Sequence, residues 1–403
     1  MSPAEAFPDC CVGIVANPVS ARDIRRIVAN AGNLQTSERV NIVLRLMSTL
    51  RAVGVPRVLM MPDNAGLGNM VSRALSCAGG AAQSFPSLEF VDMPASSTVH
   101  DTFRAVRQMQ ARGVRAIIVL GGDGTHRAVA REIIDGVSRG LAAVPISGVS
   151  TGTNNAFPAM REPTVTALAV GCYAVGRVPA HEALTSNKIL EVRIGADRRD
   201  IAIVDAVVST ERYVGAKALW KPDSLKAAFL TFADPQSIGL SAVGGLLHPV
   251  KRTDSGGLAV YLSSNITECR LSLKAPIAPG MICDLGIVGW QPMIKDTTYT
   301  LDVGSGIVAL DGEREMSFEQ EDVVQVAVRA DAFLTVDVSG IMATAAQRGL
   351  LQRKLPANQN IGAIKHGCAK SLSVVACEPA RVLPKDADHS RIRGAVARRI
   401  QSR

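Results

Sequence analysis

One stretch limits what this chain can fold into more than any other. Ala116-Ile117-Ile118-Val119-Leu120 is an unbroken apolar run that leads directly into Gly121-Gly122-Asp123-Gly124-Thr125. A run of this kind reads as a strand buried on both faces of a parallel sheet. A helix from about His126 to Asp135 follows it. The preceding sequence repeats the alternation. Cys11 to Ala16 is a short apolar strand, and Ser20 then caps a helix carrying Ile24, Ile27 and Val28. Thr36 or Ser37 opens another helix, with Val40, Val43, Leu44, Met47 and Leu50 on one face and Gly54 as its stop. Arg57 to Met61, Leu88 to Asp92 and Val144 to Ile146 read as strands, and Thr98 to Gly113 as a helix. This βαβα order implies a parallel sheet with helices on both faces.

The pattern changes near residue 185. Leu190 to Ile194 alternates, and after a charged turn so do Ile201, Ile203 and Asp205. From Leu258 to Val338 the segments are short β-type runs, at Leu258–Leu262, Arg270–Leu273, Tyr299–Val303, Ile307–Leu310, Val323–Val328 and Phe333–Val336. The expected fold class is α/β plus β: an N-terminal doubly wound parallel α/β domain over 12–180, then a mainly antiparallel β domain over 185–345.

Charge separates the remaining residues from this body. Residues 346–403 hold 12 Lys and Arg against 3 Asp and Glu, whereas residues 1–345 hold 32 against 33. The basicity belongs to a tail without sustained periodicity, read as solvated and partly disordered. The neutral body argues against nucleic acid as a partner. No apolar run is long enough to cross a bilayer and no signal-peptide pattern opens the chain, so a cytoplasmic protein is expected. The eight cysteines form no Cys-x-x-Cys and no zinc spacing, which fits reduced thiols acting as small core residues. Trp220 and Trp290 are expected in the core or at a domain interface.

The glycine segment carries the chemistry. Glycines at a strand end let bare backbone approach phosphate oxygens, and the N–H groups of the following helix attract anions. Asp123, at the carboxyl end of a strand, can bind Mg²⁺ with phosphate, accept a substrate proton, or cap the helix within a tight left-handed turn. Two more loops follow apolar strands. One is Asn17-Pro18-Val19-Ser20, and the other is Gly148 to Phe157, read Gly-Val-Ser-Thr-Gly-Thr-Asn-Asn-Ala-Phe.

Taken together, these segments resemble the superfamily of NAD kinases and diacylglycerol-type lipid kinases. Asn17, Pro18 and Ser20 match its Asn-Pro-x-Ser loop, and Gly121 to Thr125 its Gly-Gly-Asp-Gly-Thr signature. Gly152, Thr153, Asn155 and Phe157 match the lipid-kinase Gly-Thr-x-Asn-x-Phe pattern, and Leu310-Asp311-Gly312-Glu313 resembles the late Asp-Gly-Glu motif. Within the superfamily the likeness is to the ATP-NAD kinase-like branch that includes acetoin catabolism protein X.

This resemblance implies a two-domain NAD kinase-like fold, ATP as phosphate donor, Mg²⁺, an acceptor between the domains, and a role supporting acetoin catabolism. It further implies self-association as a dimer or tetramer. The donor falls to Gly121, Gly122, Gly124, Thr125, Asn17, Ser20, Gly152, Thr153 and Asn155, and the acceptor to Asn154 and Asp205. Asp123 is the metal-side group. As general base, Asp123 resembles that of NAD kinases and Glu313 that of lipid kinases. Val204 stands where NAD kinases carry an amide before their acid. The acceptor therefore stays open between a small molecule and a nucleotide, beside NAD kinase activity proper and a nucleotide-binding regulator without turnover.

Overall fold

The structure, a computed structural model, describes residues 7, 9–16, 35–77, 84–151, 155–210 and 222–353, with only the backbone of 313–315. The first part of the chain builds strands β1 (Cys11–Ala16), β2 (Arg57–Met60), β3 (Ser87–Phe90), β4 (Ala116–Gly121) and β5 (Ile146–Ser150). Helices α1 (Thr36–Val53), α2 (Leu67–Cys77), α3 (Val99–Ala111), α4 (Asp123–Ser138), α5 (Pro163–Ala174) and the short α6 (Ala180–Ala183) connect or follow them. Pairing is parallel in the order β3-β2-β1-β4-β5, a doubly wound arrangement.

The remaining strands are β6 (Leu184–Ile194), β7 (Arg198–Ala202), β8 (Asp205–Ser209), β9 (Leu225–Leu230), β10 (Gly257–Leu262), β11 (Leu271–Ala278), β12 (Met281–Met293), β13 (Thr298–Leu301), β14 (Gly306–Leu310), β15 (Glu313–Phe318) and β16 (Val324–Val336). Two helices accompany them, α7 (Leu240–Leu247) and α8 (Val338–Arg348). A second, antiparallel sheet runs β11-β12-β10-β9-β8-β14-β15. The first sheet does not end where the sequence pattern changes. Strand β16 pairs in parallel with β5 and antiparallel with β6, extending the sheet through β6 to β7. The two expected strands at 323–328 and 333–336 are one strand, with an irregular register between Arg329 and Phe333.

Four apolar clusters hold the layers. One packs α1, α5 and α8 on one face of the first sheet, and another packs α3 and α4 on the other face. The third joins β6 and β16 to the second sheet through Leu190, Val192, Phe229 and Val308, and the fourth lies beneath α7.

Local chemistry explains the edges. Helix α1 is capped by Gln35, which forms a capping box with Glu38 one residue before the expected start. Gly54, at φ 107°, ends it as expected. Trp290 is exposed rather than in the core, because it lies on β12 near the rim of the second sheet. The expected helix at 20–28, Trp220 and the basic tail beyond residue 353 lie outside the described residues. Among the described helices, none is long and apolar enough to cross a membrane.

Candidate functional site

The loop after β4 sits at the carboxyl end of the parallel strands. All six residues of β4 are buried, as are Thr125 to Ala130 of α4, whereas Gly122, Asp123 and Gly124 between them are half-buried. Solvent therefore meets the chain at the motif. Helix α4 starts within it, three residues earlier than expected. Gly122 is the N-cap in extended conformation, at φ −91° and ψ −173°, so the turn is not left-handed. No side chain of the N-cap closes the first turn, where the Thr125 N–H donates to Gly122 O at 3.1 Å.

The glycines also serve contacts within the protein. A Cβ on Gly121 would lie 2.6 Å from that of Thr125, and one on Gly122 would lie 2.8 Å from Asn155 Oδ1. Asn155 donates to Ser150 Oγ at 2.9 Å, which holds the residue beside the motif. Asp123 reaches the same loop, where Oδ2 accepts from the Ala156 N–H and Oδ1 from the Phe157 N–H, each at 2.9 Å. The structure thus brings together Gly121, Gly122, Asp123, Thr125 and Asn155. Asn17, Ser20, Gly152, Thr153 and Asn154 lie outside the described residues, and so does the side chain of Glu313.

The second sheet contributes a carboxyl group that the sequence reading passed over. Asp311, at φ 51°, sits at the β14–β15 turn with its side chain fully buried. Its Oδ1 accepts from the N–H groups of Ile203 (3.1 Å), Val204 (2.7 Å) and Asp205 (3.2 Å). The Asp311 N–H bonds the Asp205 carbonyl at 2.9 Å. Arg127 of α4 comes within 3.6 Å of Asp311 and 3.4 Å of Asp200. Burial pushes the Asp311 carboxyl well above its ordinary range. Arg127 opposes the shift, and the charges of Asp205 and Asp123 add to it. Asp123, Asp205 and Asp311 therefore share one electrostatic neighbourhood. Asp205 is half-buried at the head of β8, and the Val204 side chain points into the core.

His126 is fully buried. Its Nδ1 lies 2.8 Å from Gly122 O, and desolvation lowers its pKa to about 4. The imidazole is thus neutral at pH 7, with Nδ1–H donating to the loop carbonyl. A cavity of about 540 Å³ opens beside α3 and is lined by Ser96, Thr98, His100, Phe103, Arg104 and Arg107. The Arg131 guanidinium of α4 lies 5.3 Å from the Phe103 ring centroid. No motif flags these residues, since each is ordinary for a surface helix. Among the described residues no group of three or more His, Cys, Asp or Glu is arranged to hold a metal ion.

Comparison with known proteins bears on the same elements. The model of the ATP-NAD kinase N-terminal domain matches residues 12–178, and that of the acetoin catabolism protein X C-terminal domain matches residues 188–331. The acetoin catabolism protein X of Cupriavidus necator (strain H16) is 51% identical over 355 residues, 87% of this chain and 96% of that protein. Yeast NADH kinase, solved in complex with NADH, aligns over 89% of this chain and 95% of its own, with 13% identity and a TM-score of 0.47. A putative diacylglycerol kinase from Bacillus anthracis str. Sterne aligns over 82% and 98%, with 10% identity and a TM-score of 0.45.

Proposed function

The chain belongs to the acetoin catabolism protein X family, and from that premise we propose that it is an ATP-dependent phosphotransferase acting on a hydroxyl of a small molecule or nucleotide in support of acetoin catabolism. The observation that carries this reading is the partly exposed Gly122–Gly124 turn at the start of α4, with Arg127 one turn further along reaching the Asp311 carboxyl group of the second sheet at 3.6 Å.

The first-turn amides of α4 bind the donor phosphates, since a helix N-terminus presents N–H groups and a positive dipole end to an anion. Gly121, Gly122, Gly124 and Thr125 shape this cradle, and Asn155 closes it from the side. Asn17, Ser20, Gly152 and Thr153 are assigned to the donor by family resemblance, and Asn154 and Asp205 to the acceptor. Residues 12–180 accordingly hold the nucleotide and 185–345 the acceptor. Mg²⁺ accompanying the triphosphate would supply charge neutralisation at the phosphates. The described residues offer it single carboxylates, Asp123 foremost, rather than a cage. Phosphoryl transfer then depends on position and charge neutralisation, with Asp123 or Glu313 taking the acceptor proton. The Val204 side chain offers no polar group to a dinucleotide, which favours an acceptor other than NAD. We place the protein in the cytoplasm, and self-association stays part of this reading through the family resemblance.

A nucleotide-binding regulator without turnover is the second reading. It is favoured by the two Asp123 oxygens, each of which already accepts a backbone N–H. One experiment separates the two. Purified chain is incubated with Mg·ATP and a panel of NAD, acetoin, butanediol and other small polyols, and ADP is measured. Release that depends on one acceptor supports the enzyme. ATP binding with no acceptor-dependent ADP across the panel supports the regulator and overturns the phosphotransferase.

A further inference from the structure

Opposite charges hold Ala156 and Phe157 from two sides. Their N–H groups bond the Asp123 carboxylate at 2.9 Å. Their carbonyls accept from Arg252, the Phe157 oxygen from Nη1 at 2.9 Å and the Ala156 oxygen from Nη2. Although Arg252 as a whole residue is exposed, its guanidinium is sheltered, 4.0 Å from the Phe232 ring centroid and 5.1 Å from that of Phe157. Desolvation lowers its pKa, against the pull of the Asp123 and Asp234 charges. A planar fork of donors suits two successive carbonyls, which a lysine ammonium would not reach together.

Arg252 lies in the connection between α7 and β10, and that connection is itself tied down. Lys188 of β6 is buried, and its Nζ donates to the carbonyls of Lys251, at 3.0 Å, and Gly256. These two carbonyls flank Arg252. Between them the Lys251 N–H bonds Asp254 Oδ2 at 2.8 Å, and the Asp254 N–H returns to Lys251 O at 3.2 Å. Burial lowers the Lys188 pKa to about 8, with the Asp254 charge acting against that shift. The amine therefore stays mostly charged at pH 7, an unfavourable state to bury unless its bonds are needed.

We propose that Arg252 is a positioning residue for the motif loop and that Lys188 is the strut that sets it. Together they fix residues 155–157 against Asp123, and so fix Asn155 against Gly122. The inference rests on the phosphotransferase reading only where it concerns nucleotide affinity.

The test uses the full chain and four variants, Arg252→Gln, Arg252→Lys, Lys188→Met and Lys188→Arg. Amide hydrogen exchange and calorimetry with Mg·ATP are measured on each. Arg252→Gln should speed exchange at Ala156 and Phe157 by about tenfold while β8 and β10 keep wild-type rates. It should also weaken Mg·ATP by about tenfold, whereas Arg252→Lys recovers little of either. Lys188→Met should reproduce both effects through the connection, and Lys188→Arg should restore them in part. Unchanged exchange at 156 and 157 overturns the clamp, as does equal acceleration across the whole chain. Local acceleration with unchanged Mg·ATP affinity overturns the positioning role. If the wild-type chain binds no Mg·ATP, the phosphotransferase reading falls, and the exchange arm alone still decides the clamp.

Discussion

Gly122 shows how closely the motif is fitted to its own protein. A methyl group there would lie 2.8 Å from Asn155 Oδ1, nearer than real contacts allow, and Asn155 is tied to Ser150. Gly122→Ala should therefore displace the 155–157 segment, destabilise the chain by about 1–3 kcal/mol and weaken Mg·ATP binding. Urea unfolding together with calorimetry checks both effects, and wild-type values would show that the glycine is dispensable. His126 gives a prediction in pH. Its pKa is about 4 in the folded chain against 6.5 when unperturbed. Between those values the unfolded chain binds a proton that the folded one does not. Stability present above pH 6.5 is then lost as the pH falls towards 4, by at most about 3 kcal/mol. Urea unfolding at pH 7 and pH 4.5 should show this loss, and His126→Gln should show a smaller one. Equal losses would mean that other groups cause it. At this scale the motif was legible because glycine and apolar runs leave an unmistakable pattern. Arg127, Arg252 and Lys188 were not, since a single cation in a sequence does not reveal which carbonyl or carboxylate the fold brings to it. Within Leu310-Asp311-Gly312-Glu313, the family likeness drew the reading to Glu313. The buried group that organises the Ile203–Asp205 turn is Asp311.

Helix α4 and the β14–β15 turn meet through Arg127 and Asp311, which joins the two sheets close to the motif. Removing Asp311 leaves Arg127 with Asp200 alone, and a buried polar group that loses its partner typically costs about 1–3 kcal/mol. Asp311→Leu should lose stability on that scale, because three backbone N–H groups also lose their acceptor. Asp311→Asn keeps an acceptor oxygen and tolerates the left-handed backbone, so its loss should be clearly smaller. Thermal and urea denaturation compare them, and equal losses would show that the ring of N–H donors contributes little. Elements with a polar face were read correctly, as with α1 and α3. Helix α5 was missed because its Thr-Val-Thr-Ala-Leu-Ala-Val-Gly-Cys-Tyr-Ala segment is apolar all round. A helix without a polar face leaves no periodicity to read, even where Val165 is exposed. Strand β12 was missed for a related reason, since apolar side chains stand on both of its faces, Ile282 and Trp290 being exposed.

Across the whole molecule, the class of the fold was readable and its joinery was not. Alternating strand and helix patterns imply a parallel sheet, and short β runs imply an antiparallel one. The pairing of β16 with β5 and β6 links residues at least 130 positions apart in sequence, which no local pattern encodes. That pairing brings the second sheet alongside the first and so sets Asp205 and Asp311 near Asp123. Given this architecture, Asp123→Asn and Glu313→Gln separate the two candidate bases. Loss of the base should lower acceptor-dependent turnover by about 10²–10⁴-fold, and full turnover in both variants would remove the assignment. The claim beneath all of these is that the partly exposed Gly122–Gly124 turn receives the phosphates of a nucleotide. Isothermal titration of Mg·ATP into the full-length chain tests it most directly. Saturable binding that Gly122→Ala weakens is the expected result. A wild-type titration showing no binding, or binding indifferent to that substitution, would contradict it.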